Sequence, residues 1–137
     1  MQGQATHFRL YAPEKLDYPI FRYINECKRL YRILDEHLSS KTSGYLVGDR
    51  CTIADLAHYG WIACAGWSGL NIEEFPHLRG WLEKMESRPA IQRAKHIPDP
   101  WGFQDLPKSQ KATDDFTKPG REWFIKLIAE DVKHYSL

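Results

Sequence analysis

Cysteine, net charge and long apolar runs are scarce in this sequence, and each scarcity closes off a class of function. Lys and Arg number 19 against 18 Asp and Glu, a formal charge of +1, so the chain has no general attraction for a phosphate backbone and nucleic acid is not an expected partner. No apolar run approaches the roughly 20 residues needed to cross a bilayer. Met1-Gln2-Gly3-Gln4 does not open a basic-then-apolar signal peptide. A cytoplasmic chain without a membrane partner is expected. Its three cysteines, Cys27, Cys51 and Cys64, are odd in number and lack C-x-x-C spacing or a clustered histidine, so they read as reduced thiols, with no metal site. No Ser-His-Asp pattern, Gly-rich phosphate loop or His-Glu metal cluster stands out, and no stretch shows the two-residue alternation of a strand.

What is present fits a single helical domain. The 137 residues are 42% hydrophobic and 13% aromatic, with five Trp, enough for one core and for an apolar cleft as well. The spacing predicts a short helix from Gln4 to Tyr11, stopped ahead of Pro13, and a turn over Ala12 to Asp17. From Tyr18 to Ser40, Ile20, Ile24, Cys27, Tyr31, Leu34 and Leu38 alternate at three and four, one face of a helix. Arg22, Glu26, Arg29, Arg32 and Glu36 form its solvated side; Asp17 is placed to cap it, and Pro19 is tolerated in its first turn.

After a polar turn at Lys41 to Gly44 and an extended link at Leu46-Val47, Thr52-Ile53-Ala54-Asp55 reads as a capping box in which hydroxyl and carboxylate satisfy each other's backbone N–H groups. Leu56 to Trp67 is apolar nearly all round apart from His58, which predicts a helix buried at the centre of a bundle and ended by Ser68-Gly69. His58 there reads as a hydrogen-bonded interior histidine, and Cys64 as an inert buried thiol. Phe75-Pro76 starts another helix through Leu78, Trp81, Leu82 and Met85, and Ala90 to Ala94 adds a turn. His96 to Gly120, with Pro98, Pro100, Pro107 and Pro119, reads as an extended connector. Phe124, Leu127, Ile128, Val132 and Tyr135 then form one face of a closing amphipathic helix.

Gln2-Gly3-Gln4 with His7-Phe8, Ala12-Pro13-Glu14-Lys15, Arg22-Tyr23 with Lys28-Arg29-Leu30, Tyr45-Leu46-Val47-Gly48-Asp49, Thr52-Ile53-Ala54-Asp55, Phe75-Pro76 and Arg88-Pro89 follow in an order that resembles the C-terminal helical half of a glutathione transferase, of the nu-class and yeast nitrogen-regulator-like branch. The resemblance covers residues 1–95 and fades afterwards. It implies an all-α bundle over 1–95, with 96–137 a Pro-rich connector and helix packing on the bundle or on a second protomer. Complete enzymes of that kind carry, ahead of these helices, a thioredoxin-like half that binds glutathione and stabilises its thiolate. The sequence is expected to lack that half, and with it any cofactor; glutathione enters only where a thioredoxin-like partner supplies it.

In similar transferases the first of these helices lines the cleft that receives the electrophile. The resemblance therefore makes His7 and Tyr11 the catalytic candidates, and Gln4, Phe8, Trp61 and Trp67 the substrate-binding candidates. Packing explains the same aromatic residues equally well. Thr52 and Asp55 read as structural. Three functions stay open: an enzyme isomerising or cyclising a hydrophobic small molecule in specialised metabolism without bound glutathione; a transferase or disulfide reductase completed by a separate thioredoxin-like half; and a non-catalytic binder or scaffold, with a homodimer as its assembly. Without the other half, an apolar face on the first and central helices needs cover. Trp101, Phe103, Phe116, Trp123 and Phe124 are expected to fold back over it or exchange between protomers.

Overall fold

A computed structural model of the chain describes residues 1–102 and 109–135. All regular structure among the described residues is helical. Helix α1 (Gln2–Thr6) runs directly into a π-helical turn (His7–Tyr11), and is followed by α2 (Asp17–Ser39), α3 (Ile53–Ala63), α4 (Pro76–Glu86), α5 (Pro89–Ala94) and α6 (Gln110–Tyr135). The described residues form the all-α bundle that the sequence implies. Phe103 lies outside the described residues.

Helix α2 buries the stripe its spacing predicts: Cys27, Tyr31 and Leu38 are buried, and Ile24 and Leu34 pack against them. Asp17 is not its cap. The N-cap position is Leu16, without a side-chain bond, and Asp17 is the first helical residue, where its charge still suits the positive helix end. A carboxylate of α2 performs the capping elsewhere: Asp35 Oδ1 accepts the N–H groups of His77 at 2.7 Å and Leu78 at 2.8 Å. Those are orphan donors of the first turn of α4, whose own N-cap, Phe75, offers no oxygen. Helix α4 thereby joins α2 through its N-terminus as well as through Leu78, Trp81 and Met85, all buried.

The capping box of α3 is present as the sequence implies. Thr52 Oγ1 accepts the Ala54 N–H, and Asp55 Oδ2 accepts the Thr52 N–H at 2.9 Å. Asp55 does more than cap. It is fully buried, and its other oxygen accepts the Leu46 N–H at 3.0 Å and the Trp81 Nε1–H at 2.9 Å, tying α3 to the preceding loop and to α4. Burial pushes its pKa up, yet the donors from Leu46, Trp81 and Thr52 outweigh that and hold the carboxyl below its ordinary value.

Two expectations are corrected here. Helix α3 is not surrounded by protein: Ile62 and Asp55 face the core, whereas Ile53, Leu56 and Trp61 are exposed. An apolar composition on every side does not distinguish a helix enclosed by a bundle from one whose outer face waits for cover. His58 belongs to that outer side, its Nδ1 bonded to the Ala54 carbonyl at 2.8 Å. The helix also stops sooner than the composition implies, at Ala63, giving way to a 3₁₀ turn (Ala65–Ser68) closed by Gly69 at φ 83°.

The second correction concerns the tail. Residues 110–119, read from sequence as connector, are helical, and α6 continues through Pro119. Proline removes one backbone donor, here the one that would reach the Asp115 carbonyl. Both residues are exposed, so the freed carbonyl lies on the solvent side. One turn earlier, Thr117 Oγ1 donates to the Thr113 carbonyl at 2.9 Å.

Helix α6 is held against the N-terminal turn. Arg121 donates to the Leu10 carbonyl through both Nε and Nη2, at 3.2 and 3.0 Å, and Phe124 meets His7 edge-on at 4.7 Å. A Cβ at Gly120 would stand 3.0 Å from the Tyr11 ring, so glycine is what permits this approach.

Candidate functional site

Between α1, the π-helical turn and the outer face of α3 lies a groove of about 480 Å³. On the α3 side it is walled by Leu56, Ala57, Gly60, Trp61 and Cys64, which recur along one helical face; across from them stand His7 and Tyr11, and Trp67 and Ser68 close the end. The π-helical turn arises because the Ala12 N–H bonds the His7 carbonyl five residues back, at 2.8 Å. His7 and Tyr11, four residues apart, both face the groove from this turn.

Polar contacts beneath the groove fix its walls. Gln2, nearly buried, donates through Nε2 to the Trp61 carbonyl at 2.7 Å and accepts the Tyr31 hydroxyl at 2.9 Å. One amide thus ties α1 to both α2 and α3. Thr6 Oγ1 and Ser68 Oγ share a hydrogen bond of 2.7 Å, and Arg9 donates to the Trp67 carbonyl at 3.0 Å. Trp67 is buried and meets Phe116 of α6 edge-on at 5.5 Å. Trp61, in contrast, is 59% exposed and forms a rim.

Of the residues singled out from sequence, the groove brings together His7, Tyr11, Trp61 and Trp67. Phe8 and Gln4 lie elsewhere. Phe8 turns away to stack on Tyr23, with ring centroids 5.6 Å apart and planes within 9°, and Gln4 is exposed. Sequence reasoning missed Gln2, Thr6 and Ser68. It also missed that Leu56, Ala57, Gly60 and Cys64 share a face, a signal that was available at offsets of one, four and eight.

The groove offers two acid–base side chains on a mostly apolar wall. Burial raises the Tyr11 pKa above its ordinary value of 10.0, so its phenol remains a proton donor throughout the neutral range. His7, with Phe8 and Phe124 against its ring, adds an imidazole able to give or take a proton. Burial pushes the Cys64 thiol in the wall upward, which disfavours its thiolate at neutral pH. Among the described residues no group of His, Cys, Asp and Glu is placed to hold a metal, and no helix is long and apolar enough to cross a membrane.

Comparison with known proteins agrees with this architecture. Residues 24–89 match the family described as glutathione S-transferase, C-terminal domain. An uncharacterized GST-like protein of Streptococcus mutans is 36% identical over 103 residues, covering 69% of this chain and 38% of that protein. The glutathione S-transferase-like protein tpcF of Aspergillus fumigatus is 33% identical over 102 residues, covering 66% and 45%. The disulfide-bond oxidoreductase YfcG of Escherichia coli is 35% identical over 94 residues, covering 69% and 43%. The chain thus spans less than half the length of these relatives. Among solved structures, Ure2p in complex with glutathione superposes with a TM-score of 0.64 at 35% identity, over 68% of this chain and 46% of that one. Capping box, helix order and these matches coincide over one segment, and residues 24–89 have the fold of, and are similar to, a glutathione S-transferase C-terminal domain.

Proposed function

We propose that this chain binds a hydrophobic small molecule in the groove between His7, Tyr11, Trp61 and Trp67 and transforms it by proton transfer, an isomerisation or cyclisation within a specialised pathway of the cytoplasm. One observation carries the reading: a phenol kept protonated by burial and an imidazole converge on an apolar groove of about 480 Å³, a size suited to a small organic molecule. Tyr11 would donate to an electronegative atom of the substrate and His7 would move the second proton, while the walls orient the reacting carbons. Both groups belong to this chain, so the reaction needs no glutathione. We assign the domain to the nu-class and yeast nitrogen-regulator-like branch, to which the Ure2p likeness lends support, and read residues 96–137 as an arm that packs on the 1–95 bundle.

The test is turnover. Candidate intermediates incubated with the pure chain should react equally with and without glutathione, and Tyr11→Phe and His7→Gln should each slow the reaction by about two orders of magnitude or more. Turnover no faster than background under both conditions would overturn the proposal.

A second reading is favoured by the outer face of α3. Ile53 is 84% exposed and Leu56 57%, so a separate thioredoxin-like half could cover that face and supply the glutathione site, giving conjugation or disulfide reduction. Mixing the two halves would then restore glutathione-dependent activity that neither has alone. The outward Tyr18 and Phe21 of α2 supply the contact of a homodimer, checked by sedimentation.

A further inference from the structure

A larger cavity, of about 770 Å³, opens on the other side of Leu56. Its walls are Tyr59 of α3, Ile91 and Ala94 of α5, the segment from Lys95 to Gly102, and Phe116 of α6. Most of this wall lies outside the segment matched by the family; the cavity is made by this chain's own tail. The tail is fixed in place here. The Trp101 N–H donates to the Lys95 carbonyl at 2.7 Å, and the Trp101 ring stands edge-on to Tyr59 with centroids 6.1 Å apart.

Two features say what would occupy it. Ile97, Phe116 and Leu56, at 73%, 48% and 57% exposed, all border this one cavity, so apolar surface left in water converges on a single space. The two charged groups of the wall differ in what they meet: Lys95 is paired with Glu86, Nζ to Oε1 2.8 Å, whereas Asp99 has no ion-pair or hydrogen-bond partner among the described residues.

We propose that this cavity is a second small-molecule site and that it takes a hydrophobic amine, its aromatic body against Trp101, Tyr59 and Phe116 and its ammonium at Asp99. Aromatic faces also attract a cation through their negative π surfaces, which reinforces the preference. An anion of the same shape meets the carboxylate without an unpaired cation among the described lining residues to offset it.

Three isosteric probes test this by calorimetric titration of the full chain at low salt: 1-naphthylmethylamine, 1-naphthalenemethanol and 1-naphthoic acid. The amine should bind about two- to fivefold tighter than the alcohol, the range of a solvent-accessible ion pair, and the acid weakest. High salt should erase the difference between amine and alcohol. Asp99→Asn, which changes charge and not shape, should equalise those two while leaving the alcohol unchanged. Trp101→Ala should weaken all three together, whereas Trp61→Ala, in the other groove, should leave the series intact. Absence of binding, a preference for the acid, or a series that follows Trp61 in place of Trp101 and Asp99 would each overturn the proposal.

Discussion

Replacing Asp55 with asparagine should destabilise the chain by about 3 kcal/mol, because the carboxylate accepts four hydrogen bonds with no room for a donor: Leu46 N–H and Trp81 Nε1–H at one oxygen, Thr52 N–H and Thr52 Oγ1 at the other. Asparagine keeps the shape and turns one oxygen into an N–H donor. With Oδ1 left toward Leu46 and Trp81, Nδ2 faces the Thr52 N–H, donor against donor. The Thr52 hydroxyl can rotate to accept, so one bond is lost outright. A bond to an ionised group contributes about 1.5–3 kcal/mol and a neutral one about 0.5–1.5, so the remaining bonds each weaken by roughly 1 kcal/mol. Release of a buried charge offsets part of the sum.

Asp55→Ala removes the acceptor and orphans three buried donors, at about 1–3 kcal/mol each, which approaches the whole stability of a domain this size. Thr52→Ala loses only the cap, about 1 kcal/mol. Urea unfolding followed by circular dichroism should therefore rank the variants Thr52→Ala, Asp55→Asn, Asp55→Ala in order of increasing damage. The pH dependence adds a second readout. The folded pKa lies below the ordinary 3.8, so the unfolded state binds more protons between the two values and stability rises with pH across that window. The contribution is complete above the ordinary value and is lost as pH falls through the folded one. Asp55→Asn should abolish that part of the acid sensitivity. A loss below about 1 kcal/mol in Asp55→Asn, or an unchanged acid limb, would refute the assignment of Asp55 as the junction of α3, α4 and the loop.

Truncation after Lys95 removes the Arg121 bonds to Leu10 and the ring contacts to His7 and Trp67; it should lower stability by at least about 2 kcal/mol and promote aggregation, and an unchanged melting temperature and solubility would show that the arm is dispensable. Gly69→Ala should lose about 1–2 kcal/mol, since φ 83° disfavours an L side chain and the new Cβ would meet Arg9 at 3.0 Å; thermal unfolding measures it. Burial raises the Cys27 and Cys64 thiols above their ordinary values, so iodoacetamide at pH 8 should label both more slowly in the folded chain than in urea, as peptide mass mapping would show.

The parts of the fold legible in sequence are those set by local rules. The stripe of α2 is visible because a three–four period has a single geometric meaning, and the α3 capping box because its two partners are three residues apart. Contacts between distant residues were not legible. Nothing local says that Asp35 caps α4 from 42 positions away, that Gln2 bridges Tyr31 and Trp61, or that Asp55 carries bonds beyond its own turn. The candidate groove divides the same way. His7 and Tyr11 came from the family resemblance, whereas its polar floor depends on long-range pairing. Phe8 was misleading because adjacent residues on a helix point about 100° apart, and here that angle takes Phe8 to Tyr23.

Pro119 marks the limit of punctuation as a guide. Four prolines between His96 and Gly120 suggested an extended chain, and proline does oppose a helix by removing a donor and crowding the carbonyl four residues back. That penalty is about 3 kcal/mol in a helix interior, so other contacts must exceed it. The tertiary contacts of α6 do so on both sides of the proline: Phe116 against Trp67 before it, Gly120 against Tyr11 and Arg121 on Leu10 immediately after it. A helix broken at Pro119 could not present Phe116 to Trp67 and Arg121 to the N-terminal turn in one register. Packing, which is invisible to a local rule, thus overrides the residue most often trusted to end a helix, and it does so where the arm meets the wall that holds His7 and Tyr11.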